Sequence, residues 1–173
     1  MIDKLVKNIL ISRNSDIKFK GSWYLISRFN HILEDFEINK LPIWYNTTTV
    51  SKEYFEIESK LMISFIALFN HYNVSALSFL DNYEDVMELI KLNASWLNED
   101  HFDDIESYKI FILFNLRKKH YIRKNFLNVN NQFIIDINDN LEINIYCKKN
   151  IKSNEIAKHF VENGFYVHLI NSN

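Results

Sequence analysis

Only two of the 173 residues are glycine, Gly21 and Gly164, and one is proline, Pro42. Loops that cradle phosphate need several positions with positive φ or no side chain, so Walker-type and Rossmann-type nucleotide fingerprints are excluded. No Pro/Gly-rich linker and no internal repeat divides the chain. With 47% hydrophobic residues, its length suits one domain spanning 1–173 around a single core. The lone Cys147 excludes a disulfide framework and a cysteine-based zinc site, and it suits a reducing cytosol. A net charge of -2 produces no global field that would draw the chain to nucleic acid or an anionic membrane.

The N-terminal stretch Met1-Ile2-Asp3-Lys4-Leu5-Val6-Lys7-Asn8 carries charges within its apolar pattern and lacks a small-residue cleavage site, which argues against a secretory signal. The apolar runs Leu61 to Phe69 and Ile110 to Phe114 are far shorter than the roughly 18 residues of a membrane span. The expectation is a cytoplasmic protein that does not associate with membranes. The chain contains 24 Ile, 23 Asn and 16 Lys, all residues with AT-rich codons, so Asn128, Asn130 and Asn131 read as loop filler rather than as a binding code.

Apolar spacing predicts a short helix over 2–11. A second runs from an N-cap at Ser22 through Leu25, Ile26, Phe29, Ile32, Leu33 and Phe36, ending before Pro42. A third runs from Ser51 to about Tyr72, and a fourth from Asp81 towards Trp96 with Glu84 and Asp85 in its first turn. A fifth runs from Asp103 or Asp104 to about Asn125. The period then changes. Phe133 to Ile137 and Leu141 to Cys147 read as a β-hairpin around Asn138-Asp139-Asn140. Ser153 caps a helix stopped by Gly164 at its C′ position, and Phe165 to Ile170 forms a last strand. The fold class expected is α+β, with a mainly helical N-terminal two thirds of about five helices packed against a small C-terminal β-β-α-β sheet unit. Both glycines then have structural roles, Gly21 before the N-cap and Gly164 after a helix end.

Few constellations suggest chemistry. Glu99, Asp100, Asp103, Asp104 and Glu106 surround His101, but their spacing does not match a calcium loop. They precede a helix whose far end carries Arg117, Lys118, Lys119, Arg123 and Lys124, an arrangement the helix dipole favours. That basic run, interleaved with Tyr121, is also what phosphate contact and base stacking would use. Asp136 and Glu142 on neighbouring strands resemble the acids of metal-dependent nucleases, but Asn144 stands where those enzymes place lysine. The six histidines form no HExxH, HxH or i,i+4 pair. Cys147 reads as a small core residue. No cofactor and no metal are implied.

Three aromatic regions fall outside the core stripes: Trp23-Tyr24, Trp44-Tyr45, and Trp96 with Phe102 beside the acidic run. Aromatic anchors ringed by carboxylates suit a basic protein partner. The stretch Trp96-Leu97-Asn98-Glu99-Asp100-His101-Phe102-Asp103-Asp104 is similar to the acidic surfaces that immunity proteins of bacterial toxin systems, of the contact-dependent-inhibition or polymorphic-toxin type, present to basic nucleases. The resemblance implies a non-catalytic inhibitor of a cognate toxin, acting stoichiometrically through Trp96, Glu99, Asp100, Phe102, Asp103, Asp104 and Glu106. The alternative is a nucleic-acid-binding factor or metal-dependent nuclease-like enzyme that uses the 117–124 helix end.

Overall fold

The computed structural model describes residues 2–14, 17–38, 52–80, 83–92, 96–117, 123–138, 141–149, 151 and 154–172. Its strands are β1 (Ser22–Ser27), β2 (Val74–Leu80), β3 (Asn98–His101), β4 (Arg123–Val129), β5 (Phe133–Ile137), β6 (Ile143–Cys147) and β7 (Tyr166–Ser172). They form one sheet in the order β3-β2-β4-β5-β6-β1-β7, with every neighbouring pair antiparallel. The helices are α1 (Ile2–Asn14), the one-turn α2 (Asp35–Ile38), α3 (Lys52–His71), α4 (Tyr83–Lys91), α5 (Ile105–Leu116) and α6 (Asn154–Val161). The α+β class stands, but the expected architecture does not. One large sheet replaces the small C-terminal unit, and its strands are drawn from the whole chain, including the two thirds expected to be mainly helical.

The error has a physical source in β1. Ser22 opens a strand rather than capping a helix. Trp23 and Leu25 point to one face of the sheet, while Tyr24 and Ile26 point to the other. β1 is paired on both sides, Tyr24 lying opposite Ile145 of β6 and Leu169 of β7. Both faces are covered, so consecutive positions are apolar, and such a run mimics a helical stripe. β4 is missed for a different reason, since its first residues Arg123, Lys124 and Asn125 are polar and read as the charged end of the preceding helix. α5 stops at Leu116, where the Arg117 N–H bonds to the Leu113 carbonyl. The chain re-enters the sheet by Arg123 instead of continuing as a helix to Asn125. β2 and β3 fall where the spacing predicted neither state.

Helices cover both faces of this sheet. On one face α3, α5 and α6 bring Leu61, Phe65, Tyr108, Ile112 and Phe160 onto Leu127, Ile135, Ile143 and Ile145. On the other, α1 and α4 bring Val6, Ile9, Val86 and Ile90 onto Leu77, Phe126, Ile134 and Tyr146. Each such fully buried side chain contributes roughly 1.5 to 3 kcal/mol of hydrophobic stabilisation. All five residues of β6 are buried, which explains why its polar positions, Asn144 and Tyr146, are not solvated.

Turns and caps account for the scarce glycines and the frequent asparagines. A Cβ at Gly21 would lie 2.4 Å from the Cys147 carbonyl oxygen, so this glycine allows β1 to close against β6 and does not precede a helix cap. Gly164 has φ 87, with its N–H bonded to the Val161 carbonyl and the Phe165 N–H bonded to that of Phe160. This is the Schellman arrangement expected at a glycine in the C′ position. Asn130 and Asn131 have φ of 53 and 56, and the Gln132 N–H bonds to the Val129 carbonyl. Two successive left-handed residues define a turn that matches the twist of β4 and β5, so these asparagines are not filler. The expected helices 2–11 and Ser51 to Tyr72, the β5–β6 hairpin, α6 and the last strand are present, whereas the helix expected from Asp81 towards Trp96 is described from Tyr83 and ends at Lys91, with Trp96 outside it. Ser51, Asp81, Ser153, Asp139, Asn140, Pro42 and the Trp44-Tyr45 pair lie outside the described residues.

Candidate functional site

The acidic run lies along one border of the sheet. β3 is the terminal strand beyond β2, and all four of its residues are exposed. Glu99 lies on the same face as Ser75 and Asn128. Its carboxylate accepts the Ser75 hydroxyl at 2.5 Å and the Asn128 amide at 2.8 Å. The Ser75 bond, then that of Asn128 and the neighbouring His101, hold the Glu99 carboxyl below its usual range against the effect of burial. Asp100 points to the other face, opposite Ala76. Asp103 is exposed in the turn before α5. Asp104 is the N-cap of α5, accepting the Ser107 N–H at 2.7 Å, and this bond lowers the Asp104 carboxyl. Glu106 in the first turn pairs with Lys109 at 2.7 Å. Five carboxylates therefore share the β3 edge and the start of α5, among them one cap and one member of a surface ion pair.

The two aromatics at the ends of this run are separated by the sheet. Trp96 is half-buried against the α1 and α4 cluster. Phe102 is half-buried on the opposite side, with ring centroids 5.0 Å from Tyr108 and 5.3 Å from Phe111. Each packs against a different core, so they do not form one shared aromatic anchor.

Among the described residues the basic segment is divided between two elements. Arg117 closes α5, and its guanidinium donates twice to the Glu58 carboxylate, at 2.7 and 2.6 Å. Residues 118–122 lie outside the described residues, and Arg123 and Lys124 belong to β4. Asp136 faces Arg13, which also donates to the Tyr146 hydroxyl at 2.8 Å. Glu142 bonds to Asn138. The two carboxylates of the nuclease comparison are thus engaged with different partners. The Cys147 thiol is buried and pushed up to about 11 by that burial, its sulfur 3.5 Å from the Ile151 carbonyl oxygen. Among the described residues no group of three His, Cys, Asp or Glu could hold a metal ion, and no helix is long and apolar enough to cross a membrane.

A second region brings together residues that the sequence singled out only separately, Trp23 among the aromatics and Glu142 among the acids. On the sheet face towards α1, Trp23 stacks on Tyr146 with centroids 5.6 Å apart and donates its indole N–H to the Asn144 side-chain oxygen at 3.0 Å. The Arg13 guanidinium lies over the Tyr146 ring, 5.4 Å from its centroid. Burial, outweighing the opposing Arg13 charge, raises the Tyr146 hydroxyl. Beside these groups a cavity of about 700 Å³ opens between the end of α1, β6, β1 and the segment that follows β1. Its sequence signal was the alternation of Glu142, Asn144 and Tyr146 with isoleucines. That alternation reads as a solvated face unless β6 is known to be an inner strand. Comparison with protein-family models, curated proteins and solved structures finds no match for this chain.

Proposed function

We propose that this protein acts by binding a basic protein partner through the β3 edge and the start of α5. In its most specific form the reading is an immunity protein that neutralises a cognate bacterial toxin, a basic nuclease being the kind of toxin this surface would fit. The observation that carries it is the placement of Glu99, Asp100, Asp103, Asp104 and Glu106 on an exposed terminal strand and the turn beyond it. Charges arranged on one border steer a basic partner and accelerate association. The backbone of β3 away from β2 is unpaired among the described residues, and such an edge can accept a strand from a partner. Glu99 is tied back to Ser75 and Asn128, so its carboxylate is held in place before any partner arrives.

The test is affinity capture from an extract of the native host, using wild-type protein and a variant carrying Glu99→Gln, Asp100→Asn, Asp103→Asn, Asp104→Asn and Glu106→Gln as parallel baits. Asn at 104 retains an acceptor for the cap. The expected outcome is a basic protein retained by the wild type, released by raised salt, and captured at least tenfold less by the variant. Equal capture by two folded baits would remove the acidic edge from the function.

A further inference from the structure

The cavity beside Trp23 contains a charge that the fold does not require. Glu142 is only 6% exposed. One of its carboxylate oxygens accepts the Asn138 side-chain amide at 2.9 Å, and its backbone N–H donates to the Asn138 side-chain oxygen at 3.0 Å. The other carboxylate oxygen has no partner among the described residues. Glutamine would make the same bond to Asn138 with no charge to desolvate, so hairpin closure does not explain a carboxylate here. No ion pair among the described residues includes Glu142. Arg13, which also lines the cavity, is committed to Asp136 and Tyr146, and the remaining cationic lining residue, Lys18, is exposed. That second oxygen of Glu142 opens onto the accessible space of the cavity, where a cationic ligand can reach it.

The surroundings indicate what that cation carries with it. Leu25 and the Trp23 and Tyr146 rings provide an apolar and aromatic surface, and ring faces attract cations. Asn144 spends its oxygen on Trp23, leaving its amide N–H groups without a partner among the described residues. The volume lies within the roughly 300 to 1,000 Å³ usual for small-ligand sites. Leu141, immediately before Glu142, has φ 59 and is buried. That conformation is uncommon for a non-glycine residue, and it sets the direction in which Glu142 leaves the turn.

We propose that this cavity binds a small organic ammonium ion, its charged head on Glu142 and its apolar body against Trp23 and Leu25. The site lies over β6 and β1, towards the end of the sheet away from β3, so it stands or falls separately from the acidic edge. The probes are phenethylammonium, the neutral 2-phenylethanol and the anionic 3-phenylpropionate, each titrated at millimolar concentration near neutral pH by calorimetry. The expected result is that the ammonium binds at least tenfold more tightly than the alcohol and that the carboxylate does not bind. Glu142→Gln, with unchanged circular dichroism, should bring ammonium and alcohol to equal affinity. The proposal is overturned if no probe binds, if ammonium and alcohol bind alike to the wild type, or if a folded Glu142→Gln variant keeps the preference. The wild-type comparison decides the question alone should that variant fold poorly.

Discussion

Tyr108 shows how an individual residue can work against the fold it helps to build. Its ring is fully buried, its centroid 4.9 Å from that of Phe69, and its hydroxyl has no hydrogen-bond partner among the described residues. Burial drives that hydroxyl far above its ordinary range. Removing an unpaired buried hydroxyl recovers its desolvation cost while the ring contacts remain. Tyr108→Phe is therefore expected to raise unfolding free energy by about 1 kcal/mol, read as a higher urea midpoint at unchanged slope; a lower midpoint would show that the hydroxyl has a partner. Glu58 is the opposite case. It is buried, but the bidentate Arg117 contact compensates its charge, and together with burial its negative charge pushes the Tyr54 hydroxyl up to about 12. Glu142 is equally buried and has no cation partner among the described residues.

Between elements, the contact of α3 with α6 is expected to weaken at low pH. His159 on α6 is buried, with its ring centroid 5.3 Å from that of His71 and 5.8 Å from that of Tyr72, and its Nε2 has no partner among the described residues. Burial first, then the charges of Lys158 and His71, hold the imidazole below its usual range, with Glu162 opposing. A base whose pKa is depressed by folding binds its proton more readily in the unfolded chain. Its contribution is therefore complete above the unfolded pKa of about 6.5 and is lost as pH falls below that value towards the folded pKa. Urea midpoints near pH 7.5 and near pH 5.5 should differ less in His159→Gln than in the wild type; an unchanged difference would assign the pH dependence to other groups. The neighbouring Ser64 hydroxyl bonds to the His159 carbonyl at 2.8 Å, so α3 and α6 are also joined by a contact that does not titrate.

For the whole molecule, two helical layers share one sheet, and β4, β5 and β6 contribute side chains to both cores. Each layer buries one face of the same strands, so the strands are fully covered only when both layers are docked, and unfolding is expected to be a single transition. With Trp44→Phe, fluorescence from Trp23 and Trp96 reports the α1 and α4 side, while far-ultraviolet circular dichroism reports helices on both sides. Coincident urea curves support one cooperative unit; an earlier fluorescence transition would show that the α1 and α4 layer separates first. Local rules made part of this molecule legible. The long α3, the hairpin of β5 and β6, the Gly164 stop, the start of α5 at Asp103 or Asp104 and the core position of Cys147 depend on nearest neighbours and on short-range periodicity. The acidic run was also visible, since five carboxylates fall within the eight residues from 99 to 106. Tertiary structure decided that β1 is a strand, because an apolar run covered on both faces loses the alternation that distinguishes it from a helix, and that the polar residues from Arg123 open β4 instead of extending α5. It also placed Trp96 and Phe102 on opposite faces. Arg13, Trp23 and Glu142 are up to 129 residues apart in sequence, and only the pairing of β1 with β6 beneath α1 brings them to one cavity.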